Sequence, residues 1–152
     1  IHDGLALLRL LDTPDVRAVT TEWTDIGAGG GFPGLVLAIA RPELKVRLVE
    51  PTSKKIAFAR DTAGALGLQG VEIANERLEA LEPGVTRGAM SRATFAPMDW
   101  ITRGRTFVAT DSLILATMGG EPVHEVVEAA WRVDQFTLPI SGAGRTNAII
   151  RT

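Results

Sequence analysis

The sequence predicts an α/β fold, in which helices flank one mostly parallel sheet that ends in an antiparallel carboxyl-terminal hairpin. Short apolar runs of strand character alternate along the chain with runs of helical periodicity. The glycine-rich stretch DIGAGGGFPG, residues 25–34, follows the first predicted strand and opens the next predicted helix. The last two strand-like runs have little helical sequence between them, which favours a hairpin over a crossover connection.

The length of the chain, 152 residues, is typical of one domain with its own core, and we predict a single domain over 1–152. Residues 22–152 would form the α/β core. Because the chain opens at Ile1 rather than at a Met, residues 1–12 are expected to be the end of a truncated N-terminal helical segment.

Composition narrows the class of protein further. Hydrophobic residues make up 45% and charged residues 22%, as in ordinary soluble domains. No apolar run approaches the roughly 20 residues that span a bilayer. There are no cysteines, which excludes disulfides and thiolate metal sites and fits a cytoplasmic location. A net charge of -2 means that any nucleic acid would have to bind at a local basic patch.

The first half of the chain contains three strand-like and three helix-like runs. Pro33 suits the first turn of a helix, Pro42 ends that helix, Ser53 can cap the next helix and Gly67 suits the position just after it. The predicted elements are a helix over 5–11, a strand over 22–26, a helix over 33–41, a strand over 45–49, a helix over 53–66 and a strand over 70–74.

The second half contains more strands than helices. The predicted elements are a weak strand over 88–91, a strand over 113–117, an amphipathic helix over 121–132 and strands over 135–139 and 146–150. Four polar residues at helical spacing within 121–132 indicate an exposed face rather than a metal site, and we predict no bound metal. These residues are Glu121, His124, Glu125 and Glu128.

The glycine-rich stretch lies where a strand meets a helix, at the carboxyl edge of a parallel sheet, and that edge is where such folds bind ligands. Its sequence GGGFPG fits GxGxxG, but no GxxxxGK[ST] phosphate loop is present. Glu50 ends the second predicted strand, 23 residues after Gly27, where a carboxylate can accept both ribose hydroxyls. Together the loop and Glu50 predict a bound nucleoside, while Gly34 would allow close packing of helix on sheet.

Two nucleoside cofactors fit a glycine loop followed by an acid, NAD and S-adenosylmethionine. NAD needs a helix N-terminus aimed at its pyrophosphate, and an NAD-dependent oxidoreductase stays an alternative. S-adenosylmethionine has no phosphate, and its amino-acid tail needs room beside a backbone that lacks Cβ atoms. Asp25, just before the loop, could bind the ammonium of that tail directly or through water, and the predicted terminal hairpin favours the methyltransferase form of the sheet.

Five motifs resemble, in the same order, those of the RsmG (GidB) family of bacterial 16S ribosomal RNA guanine-N7 methyltransferases. They are DIGAGGGFPG, ARPELKVRLVEPTSKKIAFAR, ERLEAL, SRATFAP and GAGRTNAIIRT, and the resemblance runs from about His2 to the end. It implies a class I S-adenosylmethionine-dependent, Rossmann-like fold. It also implies a cytoplasmic enzyme that methylates small-subunit ribosomal RNA, free or in the 30S particle; we expect a monomer.

The resemblance also implies roles for individual residues. Arg92 would lie between the cofactor and the target base and position that base. The implied cofactor-binding residues are Gly27, Ala28, Gly29 and Gly31 for the methionine part, Glu50 for the ribose, and Leu78 and Glu79 for the adenine. The implied RNA-facing residues are Lys54, Lys55, Arg92 and Arg145. Lys54 and Lys55 follow the carboxyl end of the second predicted strand, so they lie on the ligand side, where they could contact phosphates.

The chain departs from the family pattern after the fifth predicted strand. The family has a Lys-Gly pair there, whereas this chain has Met118 and Gly119. One cation expected near the substrate is therefore lost. This favours, as a further alternative, a diverged cofactor-binding homologue that has another nucleic-acid target or no catalysis.

Overall fold

The computed structural model describes residues 2–152, so Ile1, the first residue of the predicted 1–12 segment, lies outside it. The strands are β1 (Glu22–Ile26), β2 (Lys45–Val49), β3 (Val71–Ala74), β4 (Thr86–Ser91), β5 (Val108–Gly119), β6 (Arg132–Thr137) and β7 (Gly144–Arg151). The helices are α1 (His2–Leu11), α2 (Pro14–Val19), α3 (Gly34–Ala40), α4 (Ser53–Ala65), α5 (Pro97–Gly104) and α6 (His124–Ala129), with a short 3-10 helix at Leu78–Ala80. No helix within these residues has both the length and the apolar character that crossing a membrane requires.

The seven strands form one sheet in the order β3-β2-β1-β4-β5-β7-β6. The pairs from β3 to β5 are parallel, whereas β7 lies antiparallel between β5 and β6. The predicted α/β fold with an antiparallel carboxyl-terminal hairpin is confirmed. The strand order reverses between β1 and β4, which opens a crevice at the carboxyl edge where ligands of such sheets bind.

Two hydrophobic clusters form the core, one on each face of the sheet. The first packs helices α1 to α4 against the sheet, with Trp23 among its fully buried side chains. The second packs α5 and α6 against the other face around Trp100, whose Nε1 donates a hydrogen bond to the carbonyl of Leu115 over 2.9 Å. Strand β5 is buried on both faces at its centre, which explains its continuous apolar sequence LILA.

Ion pairs fix the first two helices to the last strands of the sheet. Arg9 of α1 lies 3.0 Å from Asp134 of β6, and Asp15 of α2 pairs with Arg132 at the start of β6. Leu7, in the middle of α1, is buried in the first cluster. Helix α1 is therefore held over β6 and β7, and its first turn lies at the carboxyl edge of the parallel strands.

Several elements differ from the predicted ones. Strand β4 is a six-residue central strand rather than a weak one, because it pairs with both β1 and β5 and so depends on backbone hydrogen bonds more than on apolar side chains. The helix predicted over 121–132 is only α6, because the chain turns at Ala130 and enters β6 at Arg132. Helices α2 and α5 were not predicted; both are short and begin at a proline.

Candidate functional site

The glycine loop connects β1 to α3 at the carboxyl edge of the sheet. The N–H groups of Gly27 and Ala28 both donate to the carbonyl of Val49, over 2.9 and 3.1 Å, which ties the loop to the end of β2. Gly29 has a φ of +57°, and a Cβ built on it would meet no atom within 4 Å. The loop therefore presents bare backbone to an open space at Gly29. At the other predicted cofactor glycines the space is filled, because a Cβ on Gly27 would lie 2.3 Å from Oγ1 of Thr94 and one on Gly31 would lie 2.4 Å from Cδ1 of Leu35.

Glu50 follows β2 and faces the glycine loop. Its Oε2 accepts a hydrogen bond from the N–H of Gly29 over 3.0 Å, and its Oε1 accepts one from the N–H of Thr52 over 2.9 Å. Burial acts to raise the pKa of Glu50, but the hydrogen bonds from Thr52 and Gly29 and the charge of Lys55 outweigh burial, so the pKa lies below its usual value. A carboxylate at this position is ionised and has lone pairs left for hydroxyl donors.

Asp25 lies directly under the loop and is fully buried. Its Oδ2 accepts a hydrogen bond from the N–H of Gly34 over 2.9 Å, at the first residue of α3. Its Oδ1 has no hydrogen-bond partner within residues 2–152. Burial raises the pKa of Asp25 to about 7, although the Gly34 bond and the charge of Arg92 oppose that change. One oxygen thus supports the helix, and the other is buried without a hydrogen-bond partner among residues 2–152.

Gly34 allows α3 to lie close against the sheet. A Cβ built on Gly34 would lie 2.3 Å from Cδ2 of Leu48 and 3.0 Å from Oδ2 of Asp25. Neither atom can move far, because Leu48 is fully buried and Asp25 is hydrogen-bonded to Gly34 itself. This close contact is the reason for the last glycine of the loop.

The two residues that the resemblance assigns to the adenine lie in the 3-10 helix after β3. Leu78 is half-buried and packs against the second core cluster. Glu79 is exposed, with its Oε1 3.7 Å from Nη1 of Arg103. Both residues follow the carboxyl end of a strand that neighbours β2.

The predicted RNA-facing residues lie in two places, Lys54 and Lys55 in α4 and the two arginines at a cavity. Lys54 and Lys55 are exposed in the first turn of α4, beyond Glu50, and neither forms an ion pair with any residue of 2–152. Thr52, rather than the predicted Ser53, is the N-cap residue of α4, and the hydroxyl of Ser53 donates to Oδ1 of Asn75 over 2.9 Å.

Arg92 and Arg145 meet at a cavity beyond the ends of β4 and β5. Arg92 follows β4 and Arg145 is the second residue of β7, and both contact the carboxylate of Asp3 in α1. The cavity has a volume of about 230 Å³ and is also lined by Met118, Phe136 and Asn147. The buried Met118 therefore faces the cavity where the family pattern has a lysine. Asp3 and Asn147 were not predicted, because nothing local in the sequence brings α1 and β7 to this edge.

Solved structures with the same architecture define the class of the fold. The methyltransferase SibL, described as S-adenosylmethionine-dependent, has a TM-score of 0.65 at 16% identity and matches 95% of this chain and 54% of its own. A SAM-dependent methyltransferase from Aquifex aeolicus has a TM-score of 0.61 at 15% identity, over 95% of this chain and 97% of its own. The sheet order and the position of the glycine loop are those of the class I S-adenosylmethionine-dependent methyltransferase fold.

Sequence comparison identifies the family. A family model described as rRNA small subunit methyltransferase G (GidB) matches residues 1–138. A ribosomal RNA small subunit methyltransferase G from Sorangium cellulosum is 42% identical over 135 residues, which are 86% of this chain and 55% of that protein. One from Syntrophus aciditrophicus is 37% identical over 98% of this chain and 66% of its own length. The chain belongs to the rRNA small subunit methyltransferase G family, and it spans about 55 to 66% of the length of these two relatives.

Proposed function

We propose that the chain binds S-adenosylmethionine and transfers its methyl group to N7 of a guanine in small-subunit ribosomal RNA. The observation that carries this proposal is the pairing of the Gly29 N–H with the ionised carboxylate of Glu50, beside a cavity that holds two arginines. The first feature suits a nucleoside ribose, and the second suits an anionic, base-containing polymer. Both the fold and the family agree with this reaction.

The residues around the glycine loop fit the cofactor. The open space above Gly29 leaves room for the amino-acid tail, and the unpaired Oδ1 of Asp25 can accept a hydrogen bond from the ammonium or from a water that it binds. Glu50 can accept the ribose hydroxyls, and Leu78 and Glu79 lie beyond β3, where the adenine would be. When bound, S-adenosylmethionine supplies an activated methyl group on a sulfonium.

The chain needs no general base for this reaction, because guanine N7 carries a free lone pair. The bound cofactor would supply the methyl for an in-line displacement by N7, in which the positive charge would leave the sulfur and appear on the methylated base. The protein's part is to align the two partners and exclude water, which is catalysis by proximity. Arg92, whose side chain lines the cavity, would position the base rather than transfer a proton.

The substrate class follows from the family and the charge distribution. The chain carries a net charge of -2, so RNA would contact the local cations Lys54, Lys55, Arg92 and Arg145 rather than the whole surface. Ribosomal RNA, free or in the 30S particle, would be the partner, and the bacterial cytoplasm would be the location. The chain would act as a monomer.

The direct test measures cofactor binding and methyl transfer on the same preparation. S-adenosylhomocysteine at one hundred times its Kd should raise the melting temperature by about 5 °C or more, whereas NAD should leave it unchanged. Radiolabelled methyl groups should pass to small-subunit RNA or 30S particles and be recovered as 7-methylguanine. Stabilisation by NAD alone, or label at another base position, would contradict the proposal.

Replacing Gly29 by Ala provides a sharper test of the loop. Gly29 and Gly67 have nearly equal φ values of +57° and +63°, and a Cβ on either would meet no protein atom within 4 Å. Gly29→Ala and Gly67→Ala should therefore each lose about 1 to 2 kcal/mol of folding free energy. Only Gly29→Ala should lose affinity for S-adenosylhomocysteine, by about tenfold or more, because its new methyl fills the cofactor space. Equal affinities of the two variants by calorimetry would show that the cofactor does not lie over Gly29.

A further inference from the structure

The cavity beyond β4 and β5 contains hydrogen-bond acceptors as well as cations. A cavity that bound only phosphate would be expected to present donors alone. Here the donors Arg92 and Arg145 surround the carboxylate of Asp3, and the side-chain amide of Asn147 lies in the same wall. A volume of about 230 Å³ has room for a single nucleobase.

Two ion pairs hold Asp3 at the cavity, but one of its carboxylate oxygens accepts no hydrogen bond within residues 2–152. Its Oδ2 lies 3.6 Å from Nη1 of Arg92 and its Oδ1 lies 3.4 Å from Nε of Arg145, and Oδ1 accepts no hydrogen bond within the described part of the chain. The two guanidinium groups hold the carboxylate in place without using up its lone pairs. Asp3 is therefore an acceptor prepared for donors that the protein itself does not provide.

Asn147 is a second unsatisfied group in the same cavity. It lies in β7 opposite Thr117 of β5, is only 3% exposed, and its Nδ2 has no hydrogen-bond partner among residues 2–152. A buried amide donor that stays unpaired is unfavourable, so a ligand acceptor that pairs with it strengthens binding. The two unpaired atoms, one acceptor and one donor, thus belong to side chains that line the same cavity.

We propose that Asp3 and Asn147 read the edge of the target base and select guanine over adenine. Guanine carries the acceptor O6 beside the donors N1–H and N2–H, which matches the Asn147 amide beside the Asp3 carboxylate. Adenine has a donor and an acceptor in the reverse arrangement, so it would leave both side chains unpaired. N7 is not one of the atoms read at this edge, so its lone pair stays free. The inference rests on the proposed function and names residues that determine its specificity.

The test compares the binding of three mononucleotides at a saturating concentration of S-adenosylhomocysteine, which blocks the cofactor site. GMP, IMP and AMP are titrated into 15N-labelled protein, and the Nδ2 resonance of Asn147 is followed. GMP should shift that resonance and bind at least about tenfold more tightly than AMP, with IMP between them because it lacks the N2 donors. These measurements use the unaltered protein, so they do not depend on the folding of any variant.

The variant Asp3→Asn then separates base reading from a structural role. It should reduce the GMP-to-AMP affinity ratio towards one, because one of the two acceptor oxygens that would face N1–H and N2–H of guanine becomes an amide donor. The matched control Asp15→Asn removes an aspartate that also pairs with an arginine, but far from the cavity, and it should keep the wild-type ratio. If Asp3→Asn weakens all three nucleotides equally, Asp3 only holds the arginines and the inference is overturned.

The same samples distinguish this inference from the proposed reaction. If GMP preference depends on Asp3 but no methyl passes to small-subunit RNA, the reaction is wrong and the base reading stands. If methyl transfer occurs and the Nδ2 resonance of Asn147 does not respond to GMP, the base reading is wrong and the reaction stands.

Discussion

Asp25 shows how one buried carboxyl group can serve both folding and binding. It accepts the first N–H of α3 through Oδ2, and its side chain is fully buried. Burial raises its pKa to about 7, so near neutral pH the protonated and the ionised forms of Asp25 are both populated in the folded protein. A cationic ligand at Oδ1 would favour the ionised form, which links cofactor binding to this titration.

The pH dependence of stability follows from the same residue. A carboxyl group whose pKa rises on folding, here to about 7, contributes stability that is fully present below its unfolded pKa and is lost as the pH rises towards 7. Asp25→Asn keeps an acceptor for Gly34 but cannot ionise. Between pH 4 and 8 its free energy of unfolding should therefore gain roughly 2 to 4 kcal/mol relative to wild type, measured by urea unfolding at each pH. Parallel pH profiles for the two proteins would refute this assignment.

At the scale of elements, local patterns predicted the parallel half of the fold well. β1 and β2 were predicted with their observed bounds, because β1 leads directly into the glycine-rich loop and β2 alternates charged and apolar residues after the helix that Pro42 ends. Strand β4 was underestimated because its first residues are polar and depend on two neighbouring strands.

Among the candidate site residues, those in the loop and at Glu50 could be found from spacing. Asp3 and Asn147 could not, since only tertiary packing brings α1 against β7.

The close packing of α3 against the sheet predicts how a substitution at Gly34 changes the stability of the protein. Gly34→Ala would push α3 away from β2, because the new Cβ meets Leu48 at 2.3 Å, and overpacking of this kind costs about 1 to 3 kcal/mol. The matched control is Gly64→Ala in α4, where a Cβ meets nothing within 4 Å. This substitution should stabilise the protein by about 0.5 to 1 kcal/mol, because alanine favours a helix over glycine. Chemical denaturation of both variants measures the difference. Equal stabilities would mean that α3 can move without cost.

At the scale of the whole molecule, charge is separated along the sheet. The chain is slightly acidic overall, with 16 basic and 18 acidic residues, yet the carboxyl edge carries cations at both of its sides. The arginines are largely neutralised by ion pairs, such as Arg41 with Asp12 and Arg47 with Glu76, and Arg92 and Arg145 share the carboxylate of Asp3. Lys54 and Lys55 form no such pairs within residues 2–152, and they lie at a helix N-terminus, where cations are mildly unfavourable. Their position is costly for folding and favourable for binding a polyanion.

This separation predicts how RNA affinity should depend on salt. If Lys54 and Lys55 each contact a phosphate, Lys54→Gln/Lys55→Gln should reduce the slope of log affinity against log salt by about 1.4 to 1.8. Its folding stability should stay equal or rise by a few tenths of a kcal/mol, because two cations leave the N-terminus of α4. Lys45→Gln is the matched control: Lys45 starts β2 at the opposite edge and lies 2.9 Å from Glu22. Filter binding of small-subunit RNA from 50 to 200 mM salt (about the range where phosphate contacts dominate) measures the slopes. A slope that changes in Lys45→Gln but not in the double variant would place the RNA on the other edge of the sheet.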